Sequence, residues 1–91
     1  MNIKRPEVWD KKWRIVIFDI PEKHKRAREA MRGHLKRLGF YKLQKSVFLL
    51  PFQCKNEMDF IIEYYNIRPY VRLILADNVD NEFHLRKIFK I

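Results

Sequence analysis

The order of apolar and polar positions predicts strands and helices that alternate along the chain. Residues 13–19 are aromatic or β-branched apart from Arg14 and the terminal Asp19, a composition that predicts a strand. Both faces of this strand are apolar, so we expect it at the centre of a sheet. Pro21 has no backbone N–H to donate, and the strand therefore ends before it and leaves Asp19 at its carboxyl end.

A helix is predicted next, from about Lys23 to Leu38. Its apolar side recurs at three- and four-residue spacing and comprises Ala27, Ala30, Met31, His34, Leu35 and Leu38. Pro21 suits the position before the first turn, and Gly39 suits the C-terminal end of the helix. The remaining sides of the helix are strongly basic.

Residues 40–52 form a second β region, which is rich in aromatic and β-branched residues and closes at Pro51. The polar triplet at 44–46 interrupts this region. The pattern fits either one long strand with a bulge or two short strands joined by a tight bend.

The last third of the chain repeats the alternation. A helix is predicted to begin near residues 56–59 and to end at Pro69, with its buried stripe formed by Met58, Ile61, Ile62 and Tyr65. Residues 70–76 alternate as a strand does. Residues 80–91 predict a short final helix.

With two strands in the middle region, the element order is β-α-β-β-α-β. Short connections and right-handed crossovers then predict an α+β, ferredoxin-like sandwich with a short C-terminal helix. We expect residues 1–12 to form an N-terminal arm or lead-in and residues 13–91 to form one domain. Both long helices should cover one sheet face and leave the other bare, which favours a homodimer.

Composition adds a partner class to this picture. The 91 residues include 20 Lys and Arg against 11 Asp and Glu, for a net charge of +9, which favours nucleic acid over a merely basic protein. No apolar run approaches a membrane span and no signal peptide opens the chain, so no membrane partner is expected. Cys54 is the single cysteine, and a cytoplasmic location follows by default.

The first helix carries the strongest candidate site. Its basic residues could contact phosphates, since a guanidinium fits phosphate oxygens. Basic residues before and inside the first strand could extend this patch. The candidates are Lys11, Lys12, Arg14, Lys25, Arg26, Arg28, Arg32, Lys36 and Arg37. An ordinary solvated helix face is the alternative. No aromatic side chain interleaves with these charges, which favours contacts to the backbone of a duplex over recognition of single strands.

Other reactive residues are scattered. The three histidines and Cys54 have neither zinc-site spacing nor the arrangement of a nucleophile and its base. Phe60, Tyr64 and Tyr65 are expected to belong to the core and to a dimer surface rather than to a cofactor site.

Four motifs occur in a characteristic order: Val-Ile-Phe-Asp-Ile at 16–20, arginines on the first helix, Leu-Gly-Phe at 38–40, and Leu-Gln-Lys-Ser-Val-Phe at 43–48. In this order they resemble the Cas-two (Cas2) family, the small partner of the integrase in CRISPR spacer acquisition. They resemble equally the Cas2-like middle domain of PaaX-type transcriptional repressors. Trp-Asp-x-x-Trp-Arg at 9–14, Pro-Glu at 21–22 and Pro51 look more like the PaaX relatives.

The Cas2 resemblance implies a role for Asp19. It implies that two copies of Asp19 face each other across a dimer and hold magnesium or manganese, which could activate water against a phosphodiester. Asp19 would then be the catalytic and metal-binding residue of an endonuclease acting on DNA or RNA. One acid per chain is a poor metal site, so the alternative is that Asp19 accepts backbone hydrogen bonds in the turn before Pro21. No other cofactor is expected.

Three functions follow from these observations. The leading hypothesis is a non-catalytic homodimer that binds double-stranded DNA and serves a CRISPR integrase protein in spacer acquisition and antiviral defence. The second is the dimerising core of a PaaX-like regulator. PaaX repressors place a winged helix-turn-helix ahead of this domain, and the shortness of this chain favours the first reading. The third is a metal-dependent nuclease with paired Asp19.

Overall fold

The computed structural model describes residues 2–91 and contains every element that the sequence pattern predicts. Its strands and helices are β1 (Trp13–Phe18), α1 (Lys25–Arg37), β2 (Tyr41–Gln44), β3 (Val47–Leu50), α2 (Lys55–Tyr64), β4 (Val71–Ala76) and α3 (Glu82–Phe89). Single 3-10 turns at Glu22–His24 and Arg68–Tyr70 lead into α1 and β4. None of the helices formed by the described residues is long and apolar enough to cross a membrane.

The strands form one antiparallel sheet in the order β2-β3-β1-β4, so β1 is central and the predicted ferredoxin-like fold is confirmed. The middle β region is two strands joined by a tight turn at Lys45 and Ser46. The pairing between those strands also shifts between Lys42 and Gln44, so a bend and an irregularity occur together. Gly39 has a φ of 94°, a left-handed conformation that favours glycine after α1.

The strand register assigns the main core to one face of the sheet. Val16 lies opposite Phe48 and Arg14 lies opposite Leu50 in the β1–β3 pair. The apolar members of this face pack with buried residues of α1 and α2, among them Met31, Leu35, Met58, Ile61 and Ile62. These helices therefore cover the same face, as the amphipathic spacing predicts.

The other face is not bare, contrary to the prediction. Trp13 and Leu49 of the sheet are buried with Leu85 of α3 in a second core. The indole Nε1 of Trp13 donates a hydrogen bond to Glu82 Oε1 at 2.8 Å, which anchors the first turn of α3. The short C-terminal helix thus closes part of the face that the sequence pattern left open, because burying Trp13 removes a large apolar surface from water.

The lead-in packs against the domain. Trp9 meets Trp13 edge to face, with ring centroids 5.0 Å apart, and its Nε1 donates to the carbonyl oxygen of Lys12 at 3.0 Å. Arg5 Nη2 donates to the carbonyl oxygen of Phe89 at 2.7 Å, at the end of α3. Residues before β1 therefore extend the second core and contact the C-terminal helix.

We predict that Leu85→Ala lowers the free energy of unfolding by about 2–5 kcal/mol, because it opens a cavity between α3 and the sheet. Leu85 is 1% exposed, whereas Ile88 on the same helix is 39% exposed and provides a matched control. Urea unfolding should show a much smaller loss for Ile88→Ala. Equal, small losses for both variants would mean that α3 does not contribute to the folded core.

Candidate nucleic-acid interface

The helix α1 exposes a compact row of cations. Met31 and Leu35 face the core, and this orientation turns the opposite side of the helix to solvent. The exposed basic residues on that side are Lys25, Arg26, Lys36 and Arg37, and none of them forms an ion pair with another residue between 2 and 91. We refer to these four residues as the α1 basic face.

Arg28 differs from the α1 basic face because it is engaged inside the fold. Its Nη2 donates to Glu22 Oε2 at 3.0 Å, and its Nε lies 3.8 Å from Glu29 Oε1. Its Nη1 also approaches the carbonyl oxygen of Ile20 at 3.5 Å. The guanidinium therefore links the start of α1 to the segment that follows β1.

Arg32 is engaged in the same way with the turn between β2 and β3. It donates from Nε to the carbonyl oxygen of Lys45 at 3.3 Å and from Nη2 to Ser46 Oγ at 3.4 Å. Nη1 donates to Glu29 Oε1 at 3.1 Å, and the guanidinium lies over the ring of Phe18. Most of the donors of Arg32 are thus already used within the chain, which leaves it less able to contact a phosphate.

The cations that precede or belong to β1 divide similarly. Arg14 forms an ion pair with Asp10 at 2.6 Å and donates from Nη1 to the carbonyl oxygen of Pro51 at 2.9 Å. The hydrogen bond from Arg14 lowers the pKa of the Asp10 carboxyl group. Lys12 forms an ion pair with Asp77. Lys11 is exposed and has no ion pair with another residue of the described chain.

Asp19 follows β1 on the surface. Its backbone N–H donates to the carbonyl oxygen of Tyr70 at 2.8 Å, which fixes the chain where β1 ends and β4 begins. Its carboxylate has no hydrogen bond or ion pair to any other residue in 2–91, so the alternative role as an acceptor in the turn before Pro21 is not seen.

The residues around Asp19 do not make a divalent-metal site within one chain. No group of three potential acidic, histidine or cysteine ligands converges anywhere in residues 2–91. The next acid in the sequence, Glu22, is tied to Arg28. Magnesium and manganese need several oxygen ligands, and a single carboxylate does not supply them.

The aromatic residues at the end of α2 divide between surface and core. Phe60 and Tyr64 are exposed, whereas Tyr65, directly after α2, is half-buried and packs against the main core, as predicted for part of this group. The hydroxyl group of Tyr65 lies 3.2 Å from His34 Nε2, which joins α2 to α1. Burial lowers the pKa of the His34 imidazole, and the nearby charge of Arg37 lowers it further, so the ring is neutral at neutral pH.

A second cationic surface was not predicted, because its members come from opposite ends of the chain. Arg5 and Lys11 of the lead-in share an open hollow of about 350 Å³ with Arg86 and Lys90. Arg5 lies over the ring of Phe52, and Arg86 lies over the ring of Trp9. Sequence patterns could not reveal this cluster, since only the packing of α3 against the lead-in brings these charges together.

Cys54 has no features of a nucleophile. Its side chain is buried, and burial raises the pKa of the thiol to about 11. The thiolate is therefore scarce near neutral pH, which agrees with the predicted role as a small packed residue.

Comparison with known proteins places these features in a family. A family model described as the PaaX protein central Cas2-like domain matches residues 6–87. The match begins within the lead-in and extends into α3, so it covers the whole sheet and the α1 basic face. A search of curated proteins found no significant match.

We predict that Arg32→Ala lowers the free energy of unfolding by about 1–2 kcal/mol, because it removes the hydrogen bonds that hold the β2–β3 turn against α1. Lys36→Ala is the matched control on the same helix, since Lys36 is exposed and unpaired within residues 2–91. Its effect in chemical unfolding should stay within about 0.5 kcal/mol. Equal stabilities for the two variants would contradict a structural role for Arg32.

Proposed function

Because the chain belongs to the family of PaaX-protein central Cas2-like domains, we propose that it is a DNA-binding homodimer that serves as the dimerising core of a PaaX-type transcriptional regulator. The family description names the PaaX proteins, and this favours the regulator over the partner of a CRISPR integrase. The integrase partner remains the alternative, since both functions would use a Cas2-like domain. Detection of an integrase that co-purifies with the native protein would decide for the alternative.

The α1 basic face is the observation that supports DNA binding. Lys25, Arg26, Lys36 and Arg37 are exposed, and none is neutralised by an acid within residues 2–91. A row of free cations on one rigid helix matches the regular negative charge of a nucleic-acid backbone. Such contacts position DNA without reading its bases, so we propose binding with little sequence preference. Arg28 and Arg32 support this surface from within the fold.

The edge strand β4 supports dimerisation. Leu73 and Leu75 point to the helix-covered side of the sheet, whereas Ile74 points to the other side, and all are substantially exposed. A strand that is apolar on both faces is typical of the interior of a sheet, yet β4 lies at its edge. Arg72 is the only charged residue along β4, so little protects this edge from pairing with another strand.

We propose that a second copy of the chain covers this edge. An open groove of about 390 Å³ runs beside β4, with Gln53, Cys54 and Lys55 on its other wall. Ile17 of β1 extends the exposed apolar area on the sheet face that α3 leaves uncovered. Pairing of two β4 strands across a twofold axis would satisfy the free backbone groups and bury these side chains together.

In the proposed function Asp19 contributes neither catalysis nor DNA affinity. Its carboxylate is exposed, and no group of three potential metal ligands forms around it within residues 2–91. Asp19→Asn keeps the size of the side chain and removes its charge. Cleavage of DNA or RNA with multiple turnovers in magnesium or manganese, abolished by this change in a protein that still binds and dimerises, would establish the nuclease instead.

For DNA binding, the double variant Lys25→Gln with Lys36→Gln should weaken binding equally for unrelated duplex sequences. Two fewer phosphate contacts should reduce the slope of log K against log salt by about 1.8, because each contact contributes about 0.9. Fluorescence anisotropy titrations over a range of salt concentrations measure both effects.

The matched control for the α1 variant is Lys87→Gln with Lys90→Gln, which removes the same charge from the C-terminal end of the chain. If both pairs reduce the slope equally, binding follows net charge rather than the α1 basic face. An unchanged slope for the Lys25 and Lys36 variant would leave that face as a solvated surface.

For dimerisation, sedimentation should give a dimer at tens of micromolar protein, a range in which weak dimers are populated. Leu75→Lys should raise the dissociation constant at least tenfold, because it buries a charge at the paired edge. Val8→Lys is the control, since Val8 is an exposed apolar residue of the lead-in, away from β4. A monomeric wild type, or equal effects of both lysines, would contradict pairing through β4.

A further inference from the structure

The helix α2 presents an exposed aromatic pair beside α1. Phe60 and Tyr64 are 59% and 71% exposed, and their rings stack with centroids 6.2 Å apart and planes 18° from parallel. Neither ring belongs to the two buried clusters that hold the domain together. An exposed, preformed pair of flat apolar surfaces is typical of a binding site rather than of a structural contact.

These rings form one wall of a hollow between the two helices. The hollow has a volume of about 220 Å³ and is lined by His34, Phe60, Ile61, Tyr64 and Tyr65. The edge of Tyr65 packs on Tyr64 at 4.9 Å between centroids, and the hydrogen bond between its hydroxyl group and His34 fixes the far wall. The lining therefore consists of three aromatic rings, the His34 imidazole and the aliphatic side chain of Ile61, without an acid, a lysine or an arginine.

One cation of the α1 basic face, Arg37, neighbours the His34 wall of this hollow. Arg37 follows His34 by three residues, so the two side chains are neighbours on the surface of the helix. The acid Asp59 of α2 is neutralised by Lys55 and Arg68, and Arg37 forms no ion pair within residues 2–91.

We infer that this hollow binds an unpaired base of a nucleic-acid strand whose neighbouring phosphate contacts Arg37. The inference rests on the proposed function and extends it from duplex DNA to DNA with single-stranded ends. Stacking on an aromatic wall accepts any base, because every base has a flat π face, and the guanidinium of Arg37 suits a phosphate next to the stacked base. A second copy of the chain is disfavoured here, because it would oppose two α1 basic faces of like charge.

The test compares a short blunt duplex with the same duplex extended by a single-stranded overhang that contains 2-aminopurine. Wild-type protein should bind the overhang duplex about tenfold more tightly than the blunt one, the effect expected for one stacked base. It should also quench the fluorescence of 2-aminopurine. Phe60→Ala with Tyr64→Ala should remove the quenching and the tenfold preference while keeping the affinity for blunt duplex, and Tyr64→Phe should retain both.

Phe83→Ala is the matched control, since Phe83 is a highly exposed aromatic residue of α3 on the other side of the sheet, and it should change neither measurement. Equal affinity of the wild type for both DNAs, without quenching, overturns the inference and leaves the proposed function intact. Absence of binding to both DNAs overturns the proposed function itself. If the alanine pair alters the sedimentation of the protein instead of the quenching, the aromatic pair is a protein contact and the inference is wrong.

Discussion

The central strand β1 sets the constraint on which the rest of the structure depends. Its side chains are apolar toward both faces of the sheet, with Val16 and Phe18 on one side and Trp13 on the other. Burying one face alone would leave several large side chains in water, at a cost of roughly 1.5–3 kcal/mol for each. The chain must therefore cover both faces, and α1 with α2 and α3 with the lead-in do so from opposite sides.

The packing of helices on both faces of the sheet determines which basic side chains remain exposed to solvent. Because α1 buries Met31 and Leu35, its cations are distributed around the remaining circumference of the helix. Those that lean toward the β2–β3 turn, such as Arg32, find carbonyl and hydroxyl oxygens within the fold and become structural. The outward side of the helix stays exposed, so one helix carries two classes of arginine, one held within the fold and one unpaired within residues 2–91.

The fold was predictable from the sequence because buried side chains recur at the period of the strand or helix that carries them. The apolar run of β1, the spacing along α1 and the break at residues 44–46 each mark an element with local information alone. The candidate site was less predictable. The free and the engaged cations of α1 look alike in the sequence, and their difference comes from oxygens at Ser46 and the Lys45 backbone.

The contact of Arg5 with the end of α3 has a topological consequence. Its guanidinium donates to the carbonyl oxygens of Phe89 and Lys90, so the path of the chain into the domain and the path out of it meet at one point. A domain whose two ends lie close together can be inserted between two neighbouring residues of a longer polypeptide, because the flanking segments then stay close to each other. The same closeness of the two ends makes circular permutation feasible. A short linker would join the two ends, and the new chain termini would lie at the β2–β3 turn.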